Sequence, residues 1–327
     1  MLAFRLLLVV LWTLLAVTVR RLLRGPRHPS WGWRLEVVAE VARWGALRGT
    51  RGGVHRLRAA LTGTRLNPRL AARVKLTPLC LGAVTAESHT PAGWTDASPT
   101  ILYLHGGGYA FCSPASHRDV AARIAIASGA RCIVIDYRLA PEHPYPAALE
   151  DCLAAYHALL ASGLPPSRLL FAGDSAGGGL SLATMLRLRD AGEPLPVAAV
   201  LTSPWVDLTC QGSTIDSHAA YDYVQRETLE LFARTYLGGT DPRSPYVSPV
   251  HADLSGLPPL LIHAGGAEAL RWEIERLAER ARAAGVEVTL WVAEGMIHAF
   301  HGFAPVLPEA RRAIRAIGEF VRQCGAR

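Results

Sequence analysis

Beyond Arg73, short apolar runs alternate with longer stretches of helical period. The runs lie near Val74 to Val84, Thr100 to Leu104, Arg131 to Asp136, Leu169 to Ala172, Val197 to Thr202, Leu260 to Ala264 and Val286 to Val292. They have strand length and helical stretches fall between most of them, which predicts a largely parallel sheet with helices on both faces. The rhythm breaks from Val206 to about Gly239, a segment of helical composition that reads as an inserted lid.

The first part of the chain follows another pattern. Leu6 to Val19 carries no charge; Arg5 precedes it, and Arg20, Arg21, Arg24 and Arg27 follow. A helix of that length reaches about 21 Å, short of the roughly 30 Å hydrocarbon core of a bilayer, although Met1 to Phe4 with a snorkelling Arg5 would bring it near that span. The run lacks the small-x-small site of a cleaved leader, so a retained membrane anchor is expected. A helix lying in the membrane interface, or packed on the protein itself, is the alternative. Trp33, Val37, Val41 and Trp44 share a face that Arg34, Glu36, Glu40 and Arg43 largely avoid, so Ser30 to about Leu47 reads as an amphipathic helix capped by Ser30. Arg48 to Arg73 is basic and broken by Gly49, Gly52, Gly53, Gly63 and Pro68, a solvated surface or one drawn to anionic lipid. The chain thus divides into an anchor and basic flank over 1–28, a cap or lead-in region over 29–73, and a main domain over 74–327 with its insertion at about 206–239.

Charge separates the same regions. Residues 1–75 hold 15 Lys and Arg against only Glu36 and Glu40, whereas the remainder holds 19 against 25 acidic residues. A nucleic-acid binder carries its basic charge on the folded domain; here that domain is mildly acidic, so no nucleic-acid partner is expected. The four arginines after the apolar run outnumber Arg5 and the amino terminus before it, which places the following domain on the cytoplasmic side. Half of the 327 residues are hydrophobic, enough for a sizeable core and too many for a disordered chain. Cys80, Cys112, Cys132, Cys152, Cys210 and Cys324 form no CxxC pair and have no histidine at ligand spacing, so neither zinc nor dithiol chemistry has support.

The strand Leu169 to Ala172 runs into Gly173-Asp174-Ser175-Ala176-Gly177-Gly178, and the residues to Arg189 read as a helix. This is G-x-S-x-G between a strand and a helix. Glycine on either side lets the backbone approach closely, and the serine hydroxyl is left exposed over a helix N-terminus, where it can act as a nucleophile. A phosphate-binding turn with Ser175 as a mere cap is the alternative, but the spacing is neither GxGxxG nor GxxxxGK[ST]. His105-Gly106-Gly107-Gly108 follows the strand Ile101 to Leu104. Alone it could be a flexible turn; beside the serine turn it supplies backbone N–H donors for a developing oxyanion, with Gly107, Gly108 and Ala176 as the expected donors.

A general base should follow. Among twelve histidines, His298 lies in a loop just beyond the last strand, with His301 as its nearest decoy. The acid should lie between serine and histidine after a strand, and Glu268, following Ala264 through Gly265, Gly266 and Ala267, is the candidate. Glu273 reads as a surface carboxylate on a helix from Ala269 to Ala284.

Taken together these motifs resemble the hormone-sensitive-lipase-like carboxylesterases of the α/β-hydrolase fold. The likeness rests on HGGG at His105, the run from Tyr137-Arg138-Leu139-Ala140-Pro141-Glu142-His143-Pro144-Tyr145-Pro146 to Asp151, GDSAGG at Gly173, Ser203-Pro204-Trp205-Val206-Asp207-Leu208, and the tail around His298. It covers about residues 74 to 323. It implies an α/β-hydrolase fold with a helical cap and a serine esterase with Ser175 as nucleophile, His298 as base and Glu268 as acid. It also implies short to medium acyl esters as substrates and no cofactor or metal. One departure stands out: the family usually has Asp-Pro-Leu at the acid, and this chain has Glu268-Ala269-Leu270. The run from Tyr137 to Asp151 reads as architecture, with Asp136 and Arg138 hydrogen-bonding within it. Two alternatives remain: an arylamide N-deacetylase, which the same triad would serve, and a non-catalytic ligand receptor, against which the presence of His298 speaks.

Overall fold

The computed structural model describes the backbone of residues 2–51, 53–61 and 66–325, and their side chains except those of 2–8, 47–51 and 60–61. The snorkelling Arg5, the charges of Arg48, Arg51 and Arg65, and the breaks at Gly52 and Gly63 lie outside these. Four helices come first: α1 (Leu2–Arg24), α2 (Trp33–Arg51), α3 (Val54–Leu61) and α4 (Pro68–Ala71). Then follow β1 (Val74–Leu81), β2 (Val84–Pro91), β3 (Thr100–Leu104), α5 (Pro114–Ser128), β4 (Arg131–Ile135), α6 (Ala147–Ala161), β5 (Leu169–Asp174), α7 (Ala176–Asp190) and β6 (Ala198–Thr202). The chain ends with α8 (Thr214–Ser217), α9 (Arg226–Leu237), β7 (Leu260–Gly265), α10 (Arg271–Ala283), β8 (Val288–Ala293) and α11 (Pro308–Gly325).

The strands form one sheet in the order β1-β2-β4-β3-β5-β6-β7-β8. Pairs from β4 onward are parallel, while β1 and β2 make an antiparallel hairpin whose second strand also runs antiparallel to β4. Each inner strand buries both faces, and its alternate residues enter two cores. Leu102, Leu104, Phe171, Leu201 and Ile262 pack toward α6, α7 and α10. Ile101, Tyr103, Leu170, Val200 and Leu261 pack toward α5 and α11. The architecture is the expected mostly parallel sheet with helices on both faces.

The single strand expected near Val74 to Val84 is two strands, joined where Gly82 turns at φ +62. Thr85, Glu87, Ser88, His89 and Thr90 hide β2 from hydropathy, because its neighbours supply much of the burial.

The N-terminal layer differs from its sequence reading in three respects. Among the described residues no helix is long and apolar enough to cross a membrane. Next, α2 begins at Trp33, and Ser30 Oγ meets His28 Nδ1 at 2.9 Å instead of capping it. Its inward face is also turned from the one expected: Leu35, Glu36, Val37 and Ala39 are buried, and Trp33 is exposed. The cause is α1 itself, whose Arg20 and Arg21 converge on the Glu36 carboxylate, which also accepts the Arg27 N–H at 3.0 Å. A buried carboxylate needs such partners.

Candidate active site

The serine turn sits at the C-terminal edge of β5. Ser175 holds φ 53 and ψ −123, a conformation rare for a side-chain-bearing residue, and α7 starts at the next position. A methyl group on Gly173 would run into the backbone of Gly177 and Gly178, and one on Gly177 into the carbonyls of Leu104 and His105. These glycines are therefore required by close approach, which presses the turn against the end of β3. Ser175 makes no hydrogen bond to His298 among the described residues, and such contacts tighten in loaded sites.

The loop after β3 is held against the same turn. Asp174 Oδ1 accepts the Gly106 N–H at 3.1 Å and the Tyr103 hydroxyl at 2.8 Å, while His117 Nε2 stands 3.2 Å from the carboxylate. Burial disfavours its charge, yet His117 and Tyr103 hold Asp174 well below the usual carboxylate range. The His105 ring stacks on Tyr137 at 4.2 Å, and burial pushes it down to about 3, so it is a neutral prop and no base. Tyr137 donates to the His105 carbonyl at 2.6 Å. Gly107, Gly108, Tyr109 and Cys112 all take positive φ, and Phe232 of α9 occupies the space beside Gly108. Among the described residues the N–H groups of Gly107, Gly108 and Ala176 have no acceptor. Three unspent donors beside a strained serine are what an oxyanion requires.

His298 and Glu268 come together on the other side. His298 Nδ1 lies 3.8 Å from Glu268 Oε1, both groups buried, a separation too long for a hydrogen bond and close enough for charge attraction. The second oxygen of Glu268 is taken: it accepts from Ser203 Oγ at 2.6 Å and from the Gly265 N–H at 2.6 Å. Burial works against the His298 cation, but the Glu268, Asp222 and Asp174 carboxylates raise its pKa above the ordinary imidazole value.

The other expected roles sort themselves by partner. His301 faces away from this group and pairs with His263 at 3.0 Å inside the core, where burial keeps both imidazoles neutral. Glu273 is not the surface carboxylate expected: it is fully buried, and its Oε1 accepts the N–H groups of Val206 at 2.8 Å and Asp207 at 3.2 Å. Burial pushes its carboxyl well above its ordinary value. Arg138 does bond within its run, to Asp151 and Glu150, whereas Asp136 lines a surface cavity with Arg58. Sequence reasoning missed Ser203, which also accepts the Ala299 N–H at 3.0 Å. Its signal was its place, directly after β6 at the head of a quoted motif. Asp222 was missed as well, and nothing in its local sequence marks it.

Known proteins show the same arrangement of chain. A model of the α/β hydrolase fold matches residues 101–302. An acetyl-hydrolase of Streptomyces hygroscopicus is 47% identical over 246 residues, 74% of this chain and 82% of that protein. An esterase of Acinetobacter venetianus is 35% identical over 249 residues, 76% of this chain and 82% of its own. Among solved structures, EstE5 soaked by p-nitrophenyl butyrate matches with a TM-score of 0.85 at 39% identity, covering 91% of this chain and 100% of that one. An esterase from the bacterial hormone-sensitive lipase family matches with a TM-score of 0.83 at 42% identity, covering 90% and 99%.

Proposed function

Because the chain belongs to the hormone-sensitive-lipase-like esterases of the α/β-hydrolase fold and is a carboxylic ester hydrolase, we propose that it works through a serine acyl-enzyme, with Ser175 as nucleophile, His298 as base and Glu268 as acid. Ser175 Oγ attacks the ester carbonyl as His298 takes its proton, and the carbonyl oxygen gathers charge against the N–H groups of Gly107, Gly108 and Ala176. The C–O bond breaks and the alcohol leaves with that proton. Water, giving a proton to the same imidazole, then releases the acid and restores the serine. Glu268 orients the imidazole and stabilises its cation throughout. The observation that carries this reading is the set of three unpartnered amides beside Ser175.

The substrate class follows from the cap. The helices before β1 and the segment 206–239 form it: α9 lays Phe232 against Gly108 and 5.4 Å from Phe111, and Tyr223 stands edge-on to His298 at 5.9 Å. Aromatic walls this close to the reacting atoms favour short to medium acyl groups, in keeping with the acetyl-hydrolase relative. The test is a series of p-nitrophenyl esters of increasing chain length with wild type beside Ser175→Ala, and a matched acetanilide as the amide arm. Turnover by Ser175→Ala would overturn the mechanism, and faster hydrolysis of an emulsified long-chain triglyceride than of butyrate would overturn the range. Equal rates on acetanilide would place the chain with the N-deacetylases.

The N-terminal helix adds a location. Along α1, Leu11, Trp12, Leu15, Val19, Leu22 and Leu23 stand exposed on one side, with Arg24 at its end, while Val17 and Thr13 face the protein. An apolar stripe with a basic end is built to lie in an anionic membrane interface. The full chain should float with anionic vesicles and resist a high-salt wash, and the double variant Trp12→Asp, Leu15→Asp, which leaves the arginines on Glu36 and Ala220 in place, should not bind yet should stay active. Full-length protein that stays off such vesicles would remove the membrane from the reading.

A further inference from the structure

The acid and base loops meet at another carboxylate. Asp222, in the turn between α8 and α9, is fully buried. Its Oδ2 accepts the N–H of Ala269, next to Glu268, at 2.8 Å. Its Oδ1 accepts the N–H of His298 at 3.1 Å and that of Tyr223 at 2.8 Å. One side chain from the cap thus joins the backbones that carry the acid and the base.

The turn is seated from outside the sheet. Arg43 of α2 donates to the Ala219 carbonyl and, at 2.9 Å, to that of Asp222. Gln225 Nε2 reaches the same two carbonyls at 3.1 and 2.8 Å, and Arg27 reaches Ala220 at 3.1 Å.

This clamp matters because the direct contact is loose. Glu268 spends Oε2 on Ser203 and Gly265, and its free oxygen stands 3.8 Å from the imidazole. No hydrogen bond joins the two side chains directly, so their spacing is set by the side chains that tie their loops together: Ser203, which bonds Glu268 and the Ala299 N–H, and Asp222. We propose that Asp222 is a positioning residue of the esterase reaction: it holds the Glu268 loop against the His298 loop, adds its charge behind the imidazole, and is itself seated by Arg43. Burial drives the Asp222 carboxyl up to about 6 while the His298 cation opposes this, so the carboxylate form is present at neutral pH. Glu268, His298 and Arg43 are the charged groups that share its field, and Asp174 acts on the same imidazole.

The inference rests on His298 as base, and its test keeps the two apart. Asp222→Asn retains the shape but loses the charge and one acceptor. At an unchanged melting temperature it should lower kcat on the order of 10- to 100-fold with KM within about twofold. The acid limb of kcat/KM should move to lower pH by about one unit, because a carboxylate facing the imidazole is gone. Wild-type kcat, or a loss confined to KM with the limb unmoved, would overturn the proposal. If Asp222→Asn does not fold, Arg43→Met carries the test on turnover alone, with kcat lowered roughly 3- to 10-fold and KM within about twofold; wild-type kcat there would overturn it equally. Activity in Ser175→Ala would instead sink the parent reading, whereas an inert Ser175→Ala beside an unimpaired Asp222→Asn sinks only the role of Asp222.

Discussion

On the side of the proposed nucleophile the parts come from two contiguous stretches, 105–108 and 173–178, and backbone sterics hold them, with the Asp174 carboxylate as a polar tie to the Gly106 N–H. Gly177 has no room for a methyl group beside the Leu104 and His105 carbonyls, and Ser175 is strained between a strand and a helix that cannot move apart. On the side of the proposed acid and base, Ser203, Asp222, the turn from Gly265 to Glu268 and His298 arrive from four separate segments, and buried hydrogen bonds hold them. Sterics of this kind tolerate no larger residue at the glycines. A polar assembly can lose one bond and persist, at a cost spread over its members. Variants on the two sides should therefore fail differently.

The largest effects belong to the proposed nucleophile and base. Ser175→Ala and His298→Ala should each lower kcat on the order of 10⁴ to 10⁶, with the oxyanion donors supplying the residue of activity. An active His298→Ala beside an inactive His301→Ala would exchange their roles. Because His301 sits with His263 in the core, His301→Ala should instead show as lost stability.

Glu268→Gln comes next, and it tells whether the acid works by charge. It should be inactive or nearly so, a loss on the order of 10³ to 10⁴ in kcat, although the amide fills the same space. The pH profile gives the sign. His298 must be neutral to accept a proton, and its carboxylate neighbours raise its pKa, so the acid limb of the wild-type kcat/KM should lie above the ordinary 6.5. In whatever activity Glu268→Gln retains, that limb should fall to lower pH.

The same contrast explains what the sequence could and could not reveal. Steric constraints leave glycines at fixed offsets from a strand, so the serine turn and the glycine loop beside it were readable from Gly106 to Gly108 and Gly173 to Gly177, just as the parallel sheet was readable from its alternating runs. Partnership between distant segments leaves no such mark. Ser203 was visible only as the head of a motif, and Asp222 was invisible because its partners lie 47 and 76 residues away. Glu36 misled for the same reason: the arginines that bury it belong to α1, and a helical wheel of α2 alone contains no sign of them. β2 escaped because its burial is supplied by neighbouring strands.

Ser203→Ala should separate a polar assembly from a steric one more gently. It deletes the hydroxyl that bonds Glu268 at 2.6 Å and accepts the Ala299 N–H at 3.0 Å, but leaves Gly265 still holding the acid. A fall in kcat/KM of about 10- to 100-fold is expected, in line with one charge-assisted bond at roughly 1.5–3 kcal/mol. A loss as deep as that of Glu268→Gln would mean that Ser203 alone fixes the acid.

The smallest effect on turnover should come from Glu273, the carboxylate whose sequence reading was most wrong. Its Oε1 carries the N–H groups of Val206 and Asp207, and burial favours its protonated form. A neutral side chain with one acceptor already describes it, so Glu273→Gln should keep kcat within about threefold. Glu273→Ala is different, since it leaves two buried donors without an acceptor at about 1–3 kcal/mol each. That should appear as a lower melting temperature, with KM rising as the start of the cap segment loosens and kcat changing less. The pair thus distinguishes support of the cap from participation in the chemistry. If Glu273→Gln abolished turnover while Glu268→Gln did not, the acid would have to be reassigned to Glu273, and the 3.8 Å approach of Glu268 to His298 would be a contact without a catalytic role.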